Sequence, residues 1–288
     1  MMLSFREKLQ RSIENVGNFY CVGIDPHPNK SFSFLYTELQ KKGPEQFLKT
    51  FSKIHIDVSK ENVGSVKFQS AFFEQFGQSG FLALHDSFNY AKKNGLFTIL
   101  DAKRCDISST MSAYGKMAFD VFSADAVTVV PYMGFDCINA LDPWLKNGSG
   151  VYVVLISSNE SGRSIQNAPV SSGSFAEFLF DLFSSDIKKF SLLNSVGFVV
   201  GATKIDEICA SFTEKIKAFP LLLPGLGAQG ATLTPILKSF VNTAKESLFP
   251  VSRSISGLSF DENITSSINS WSNYREFLEE NLKKLLSS

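Results

Sequence analysis

A chain of 288 residues with 44% hydrophobic content has ample apolar material for one large domain, and α/β barrels are the usual way a single domain reaches this size. Lys plus Arg and Asp plus Glu number 28 each, so no net field draws the chain to nucleic acid or to an anionic membrane, and any anion site must be local. Apolar runs such as residues 151–156 are far too short to span a bilayer, and residues 1–10 lack the apolar centre of a signal peptide, which points to the cytoplasm.

In chain order, residues 4–16 read as a leading amphipathic helix able to close the bottom of a barrel. The first strand, 19–25, ends at Asp25 in a loop pinned by Pro26 and Pro28. The connection 29–62 is longer than one crossover requires and is expected to hold two helices. Strand 64–69 carries Lys67 at the end of an apolar run, where an ammonium needs anionic partners. A helix at 80–94 precedes strand 97–103, and one at 111–122 precedes strand 126–131. Strands 151–157, 197–203, 221–225 and 250–255 follow, then a terminal helix at 267–286. Eight strand–helix units, several with near-continuous apolar strands, predict a parallel sheet buried on both faces and closed as a (β/α)8 TIM barrel, with an additional helix at each terminus. No stretch reads as an interdomain linker, so residues 1–288 are taken as one domain. The 28 Phe make an aromatic core and say nothing about substrate.

Cys21, Cys105, Cys137 and Cys209 form no Cys-x-x-Cys pair and read as free thiols. His27, His55 and His85 lack metal-ligand spacing and read as surface or structural residues. The chemistry concentrates in Asp101-Ala-Lys103-Arg-Cys-Asp106-Ile-Ser-Ser-Thr110, directly after the third strand. If the strand runs through Lys103, Asp101 and Lys103 share a face. Asp106 and Thr110 would share a helical face if the next segment is helical. The run alone leaves two readings open: a strand-end ion pair with a capping Asp106, or a charge constellation built for chemistry. Lys67 favours the second, because Asp101 and Asp106 are available to neutralise it.

The Asp-x-Lys-x-x-Asp-Ile-x-x-Thr run, preceded by a strand-end lysine, resembles orotidine 5'-phosphate decarboxylases. Further resemblances fall in order along the chain: Gly23-Ile-Asp25-Pro, Ser157-Ser158-Asn159, Pro224-Gly-Leu-Gly-Ala-Gln229-Gly230 and Val251-Ser-Arg253-Ser-Ile. Asp-Ala-Lys-Arg and Gly-Ala-Gln-Gly resemble a bacterial subgroup, with Cys105 where glycine is common there. Taken singly, Asp25 is a turn former, the glycine run a tight turn, Ser157 a polar strand end and Arg253 a surface cation.

The resemblance implies loss of CO2 from orotidine 5'-monophosphate to give UMP, without metal or cofactor. It makes Lys103 the proton donor to C6, with Asp101, Asp106 and Lys67 as its charged partners. Asp25 becomes a ribose-hydroxyl acceptor, and Ser157 meets the pyrimidine through its hydroxyl and backbone. Gln229, Gly230 and Arg253 hold phosphate, which barrels commonly bind after their last two strands. It further implies a homodimer in which Asp106 and Thr110 reach the neighbouring subunit's site. Two rivals stand beside it. Magnesium-dependent sugar-phosphate decarboxylases and hexulose-phosphate synthases share Asp-x-Lys-x-x-Asp but need a carboxylate where Lys67 stands, and an ammonium repels a divalent cation. A non-catalytic phosphate-binding barrel would have no use for both lysines and both aspartates.

Overall fold

The apolar strand segments pair in sequence as a closed parallel barrel, in a computed structural model that describes residues 2–28, 32–170, 173–225, 246–257, 265 and 267–287. Its strands are β1 (Tyr20–Ile24), β2 (Ser65–Gln69), β3 (Phe97–Arg104), β4 (Ala126–Val129), β5 (Gly150–Ile156), β6 (Val196–Val200), β7 (Leu221–Leu222) and β8 (Ser247–Val251), with β8 closing on β1. The eight strands form near where the sequence places them, but the strand expected over 197–203 ends at Val200, before the 3-10 turn Ala202–Glu207, that over 221–225 ends at Leu222, and the last is shifted. The last strand begins at Ser247 rather than at Pro250, and Arg253 lies beyond it in the helical turn Arg253–Ser256. Proline reads as a strand start because it lacks a ladder donor. Here β7 pairs β8 only at Ser247 and Leu248, so the ladder on that side ends before Pro250 and no bond is forfeited.

Helix α1 (Phe5–Glu14) starts at a capping box between Ser4 and Glu7 and plugs the barrel's bottom. Phe5, Leu9 and Ile13 pack there with Cys21, Phe97, Ile99, Ala126, Tyr152, Val199, Leu222 and Leu248. Phe5 meets Tyr152 edge-on at 5.4 Å, and a Cβ on Gly150 would stand 2.0 Å from the Phe5 ring, so only glycine admits the plug. A larger apolar layer separates strands from the outer helices. The helical stretch α2 (Ser33–Ser59) is interrupted at Gly43, φ 73°, before Pro44, which makes it the two helices expected of the long first connection.

Helix α3 (Gly77–Lys93) follows β2, and α4 (Ser108–Gly115) follows β3 and runs into a π-helical turn, Lys116–Val121. Among the described residues, helices α5 (Phe175–Lys189), α6 (Ala210–Ile216) and α7 (Trp271–Ser287) continue the outer layer. Among the described residues no helix is long and apolar enough to cross a membrane, and Cys21, Cys105, Cys137 and Cys209 are all unpaired.

Candidate active site

The inward positions of the strands change character from bottom to top. Above the apolar plug, Lys67 of β2, Asp101 and Lys103 of β3 and Thr128 of β4 line a cavity of about 190 Å³. Val154, Ser157, Ser158, Asn159, Val199, Leu222, Pro224 and Pro250 form the rest of its wall. It opens at the carboxyl ends of the strands, the face on which barrel enzymes assemble their sites.

Asp101 is the hub of this cluster. Its Oδ2 receives Lys67 Nζ at 3.0 Å and Gln69 Nε2 at 3.1 Å, and its Oδ1 receives Lys103 Nζ at 2.6 Å and Thr128 Oγ1 at 2.9 Å. Burial opposes the charge on Asp101, but the Lys67 and Lys103 ammonium groups outweigh it and hold the carboxyl well below the ordinary carboxylate range. Burial likewise works against the Lys67 ammonium; Asp25 and Asp101 reverse this and raise Lys67 above the ordinary lysine value. Beneath them, burial pushes the Cys21 thiol up to about 12, so it stays neutral and adds no charge. Two carboxylates and two ammonium groups balance in the cluster. Lys67 is almost fully enclosed, whereas the Lys103 side chain is 48% exposed and free to meet a ligand.

The sequence rule that residues two apart share a strand face reaches the right pair by the wrong route. Leu100 of β3 pairs with Val127 of β4, yet Arg104 pairs with Val129, so β3 bulges in between. Lys103 sits in the bulge at φ 48°, a left-handed conformation rare for a side-chain-bearing residue and a recurrent mark of functional sites. Its N–H donates to Thr128 Oγ1 at 2.9 Å, and the same hydroxyl donates to Asp101. Thr128 therefore holds both the backbone and the ion pair of the bulge. Arg104 turns outward, ion-paired with Glu74 and over the Tyr114 ring.

The second partner of Lys67 is Asp25, at 3.7 Å, and not Asp106. Asp106 also lies outside the helix that it was expected to share with Thr110: α4 begins at Ser108 with Ile107 at its cap, and Asp106 Oδ1 only accepts the Ile107 N–H at 2.9 Å. Once the bulge has redirected the chain, Asp106 and the exposed Thr110 leave the cavity for the barrel's outer rim. Between them in sequence, Ile107 is an exposed apolar side chain.

Ser157 lines the cavity, but its N–H is already donated to Gln166 Oε1 at 3.1 Å. The hydroxyl is thus the part of Ser157 left to face a ligand, in contrast to the reading in which backbone and hydroxyl both do so. Arg253 is exposed two residues beyond β8, and among the described residues no hydrogen bond or ion pair joins it to the cluster. Gln229 and Gly230 lie outside the described residues. Sequence reasoning missed Thr128, Gln69, Ser158 and Gln166 as parts of the site. Thr128, Gln69 and Gln166 stand in or after apolar runs with nothing in local spacing to join them to Asp101 or Ser157, whereas Ser158 stands next to Ser157 in the Ser157-Ser158-Asn159 run but is given no role there.

Comparison with known proteins gives the family and the fold. Residues 19–261 match the family model described as "Orotidine 5'-phosphate decarboxylase / HUMPS family". An orotidine 5'-phosphate decarboxylase of Streptomyces coelicolor is 34% identical over 260 residues, covering 88% of this chain and 90% of its own. One from Salinispora tropica is 35% identical over 264 residues, with the same shares covered. A solved structure from Toxoplasma gondii, assigned as an orotidine-monophosphate decarboxylase, superposes with a TM-score of 0.75 at 28% identity over 99% of both chains.

Proposed function

The chain belongs to the orotidine 5'-phosphate decarboxylase family and converts orotidine 5'-monophosphate to UMP and CO2 in pyrimidine nucleotide biosynthesis, and from that premise we propose that Lys103 is the proton donor to C6 of the substrate. The observation that carries the proposal is the Asp25–Lys67–Asp101–Lys103 cluster. It contains one ammonium buried to hold the anions in place and a second that is only half covered and anchored to the same carboxylate. When the C6–carboxylate bond breaks, its electron pair stays on C6 and CO2 departs. The developing carbanion lies beside the Lys103 ammonium, which stabilises it and then gives it a proton. No covalent adduct has to form, so the burden falls on charges fixed before the reaction begins, where they cost no reorganisation.

Asp25 is the ribose acceptor in this reading. Its Oδ1 faces Lys67 at 3.7 Å and makes no hydrogen bond, so the carboxylate keeps acceptor capacity that a sugar hydroxyl uses. The Ser157 hydroxyl meets the pyrimidine, and Arg253, with Gln229 and Gly230, takes the phosphate. Binding free energy gained at the phosphate, remote from C6, is thereby available to the transition state. Asp106 and Thr110 serve the partner's site in a homodimer, a reading supported by the exposure of Thr110 and of the apolar Ile107 that follows Asp106. The whole of residues 1–288 acts as one cytoplasmic domain that needs no metal. Lys67 supports the metal independence, since its ammonium fills the space between Asp25 and Asp101 that a divalent cation would claim.

The decisive experiment follows loss of orotidine 5'-monophosphate by ultraviolet absorbance. Wild-type turnover should survive exhaustive EDTA treatment, and Lys103→Ala should abolish it while UMP still binds. Near-normal kcat in Lys103→Ala would remove Lys103 from the proton-donor role, and activity that Mg2+ restores after EDTA would refute the metal-free reading.

A further inference from the structure

We propose that Gln166 is a positioning residue, which locks the end of β5 so that the Ser157 hydroxyl donates its hydrogen into the cavity, toward a carbonyl oxygen of the substrate's pyrimidine ring. The inference rests on the reading above that Ser157 faces the base.

Gln166 ends the four-residue helix Arg163–Gln166, which follows the 3-10 turn Glu160–Gly162. Its amide folds back onto Ser157, nine residues earlier, through two bonds: Ser157 N–H to Oε1 at 3.1 Å and Nε2 to Ser157 Oγ at 2.8 Å. The orientation of the amide is forced. A backbone N–H can only donate, so the atom facing it must be the amide oxygen, and that turns the amide nitrogen toward the hydroxyl. An amide nitrogen in turn only donates. The Ser157 oxygen is therefore an acceptor toward Gln166, and its own hydrogen cannot return along that bond. Ser157 lines the cavity, so the hydrogen is left available to an acceptor there, and the pyrimidine ring offers carbonyl oxygens to receive it.

Two glycines show how closely this arrangement is enclosed. A Cβ on Gly162 would stand 2.6 Å from Ser157 Oγ and 3.0 Å from Gln166 Oε1. The Gly162 backbone is ordinary right-handed helix, φ −59°, so proximity to the pair, and not backbone conformation, calls for glycine. From the other side, a Cβ on Gly201 at the end of β6 would stand 3.1 Å from Ser157 O and 3.0 Å from Ser158 Cα. The serine is thus held from its own loop and from the neighbouring strand. Gln166 makes no bond to Asp101, Lys67 or Lys103, so its contribution is to the placement of the base and not to proton transfer.

The test titrates the full-length protein with UMP and with ribose 5-phosphate, which carries sugar and phosphate but no base. Gln166→Glu keeps the size and an acceptor for the Ser157 N–H, but its carboxylate cannot donate, so the serine hydroxyl turns back to it. UMP binding should weaken about tenfold, the worth of one hydrogen bond at the upper end of the usual range. Ribose 5-phosphate should bind within about twofold of wild type, and this ligand also registers any repulsion between the new carboxylate and phosphate. Ser157→Ala should give the same selective loss, and the double variant no more than either single one, because all three remove one bond. Gly162→Ala, whose methyl group crowds both the Ser157 hydroxyl and the Gln166 amide, should give the same selective loss of UMP affinity.

Equal weakening of both ligands by Gln166→Glu, no weakening of UMP, or additive losses in the double variant would overturn the positioning role. If Ser157→Ala instead leaves the ratio of UMP to ribose 5-phosphate affinity unchanged, the base-facing reading of Ser157 fails, and this inference falls with it.

Discussion

Replacing Asp101 by asparagine tests whether one carboxylate organises the site. The side chain is 9% exposed and holds Lys67 at 3.0 Å and Lys103 at 2.6 Å. At an effective dielectric near 20, a unit-charge pair at the Lys67 distance has a gross attraction of about 5–6 kcal/mol. The asparagine dipole restores part of this, and Asp25, at 3.7 Å, still attracts the ammonium. The net cost of leaving Lys67 buried with one distant partner should be about 3–5 kcal/mol of folding stability, read as a lower urea midpoint at unchanged m-value. Turnover should fall at least about a hundredfold, comparable to the loss of a preorganised charge-stabilising group. The origin of the stability loss can be checked directly. Adding Lys67→Met to Asp101→Asn removes the unpaired ammonium and should recover much of the stability while the protein stays inactive. A double variant no more stable than Asp101→Asn alone would refute the view that an uncompensated Lys67 is the cost. Asp101→Asn within about 1 kcal/mol of wild type would refute the hub itself.

UMP should raise the melting temperature far more than uridine at equal concentration, and Arg253→Ala should erase most of that difference; equal stabilisation of the wild type by both would contradict a phosphate site at Arg253. His55 is 1% exposed and its Nδ1 bonds to Phe51 O at 2.9 Å, and burial lowers its pKa from 6.5 to about 4. Between those values the unfolded chain binds the extra proton, so the stability due to neutral His55 is complete above pH 6.5. It is lost as pH falls toward 4, by about 3 kcal/mol in all. Unfolding titrations should find this slope flattened in His55→Gln, and an unchanged slope would acquit His55. If the sites are shared across a dimer, Lys103→Ala and Asp106→Ala should each be nearly inactive alone. Co-refolded in equal amounts, they should regain about a quarter of wild-type activity, since half the dimers are mixed and each mixed dimer has one intact site. Proven exchange without recovery would assign Asp106 to its own chain's site.

The barrel was legible because its signals are local and repeated. Apolar runs such as Val151–Val154 within β5 fit strands buried on both faces, and most of the gaps between them suit one crossover each. The two-helix first connection was legible from its length, and its break falls at Gly43-Pro44, where residue chemistry dictates one. Lys67, Asp101 and Lys103 were legible because a charge at the end of an apolar strand is costly to bury unless another charge meets it there. The second anion for Lys67 was misjudged. Asp25 lies just beyond β1, which neighbours β2 in the closed sheet, and Asp106 is nearer to Lys67 in sequence but is carried away by a bulge that no residue preference announces. Thr128, Gln69 and Gln166 were illegible for a related reason. Their roles are fixed by which strand lies next to which, and a threonine in an apolar strand looks the same whether it faces a helix or a carboxylate.

The bulge in β3 connects this failure of the sequence rule to the chemistry. A regular strand would have continued the ladder from Leu100 and Val127 through Lys103, and the inward lysine would then have been held by ladder bonds on both sides. Instead Lys103 adopts φ 48°, a conformation that costs on the order of 1–3 kcal/mol, and exchanges ladder pairing for the Thr128 hydroxyl and the Asp101 carboxylate. The same detour sends Asp106 and Thr110 to the outer rim. One local departure therefore places the Lys103 ammonium at the cavity on a carboxylate anchor and carries the following acid, Asp106, away from Lys67. Thr128 bridges the Lys103 backbone and the Asp101 side chain, so Thr128→Val, nearly equal in volume, should disturb Lys103 while sparing the barrel. A fall in kcat with UMP affinity retained is the expected result. Unchanged kcat would mean that the Asp101 ion pair alone holds the lysine and that the bulge needs no second tie.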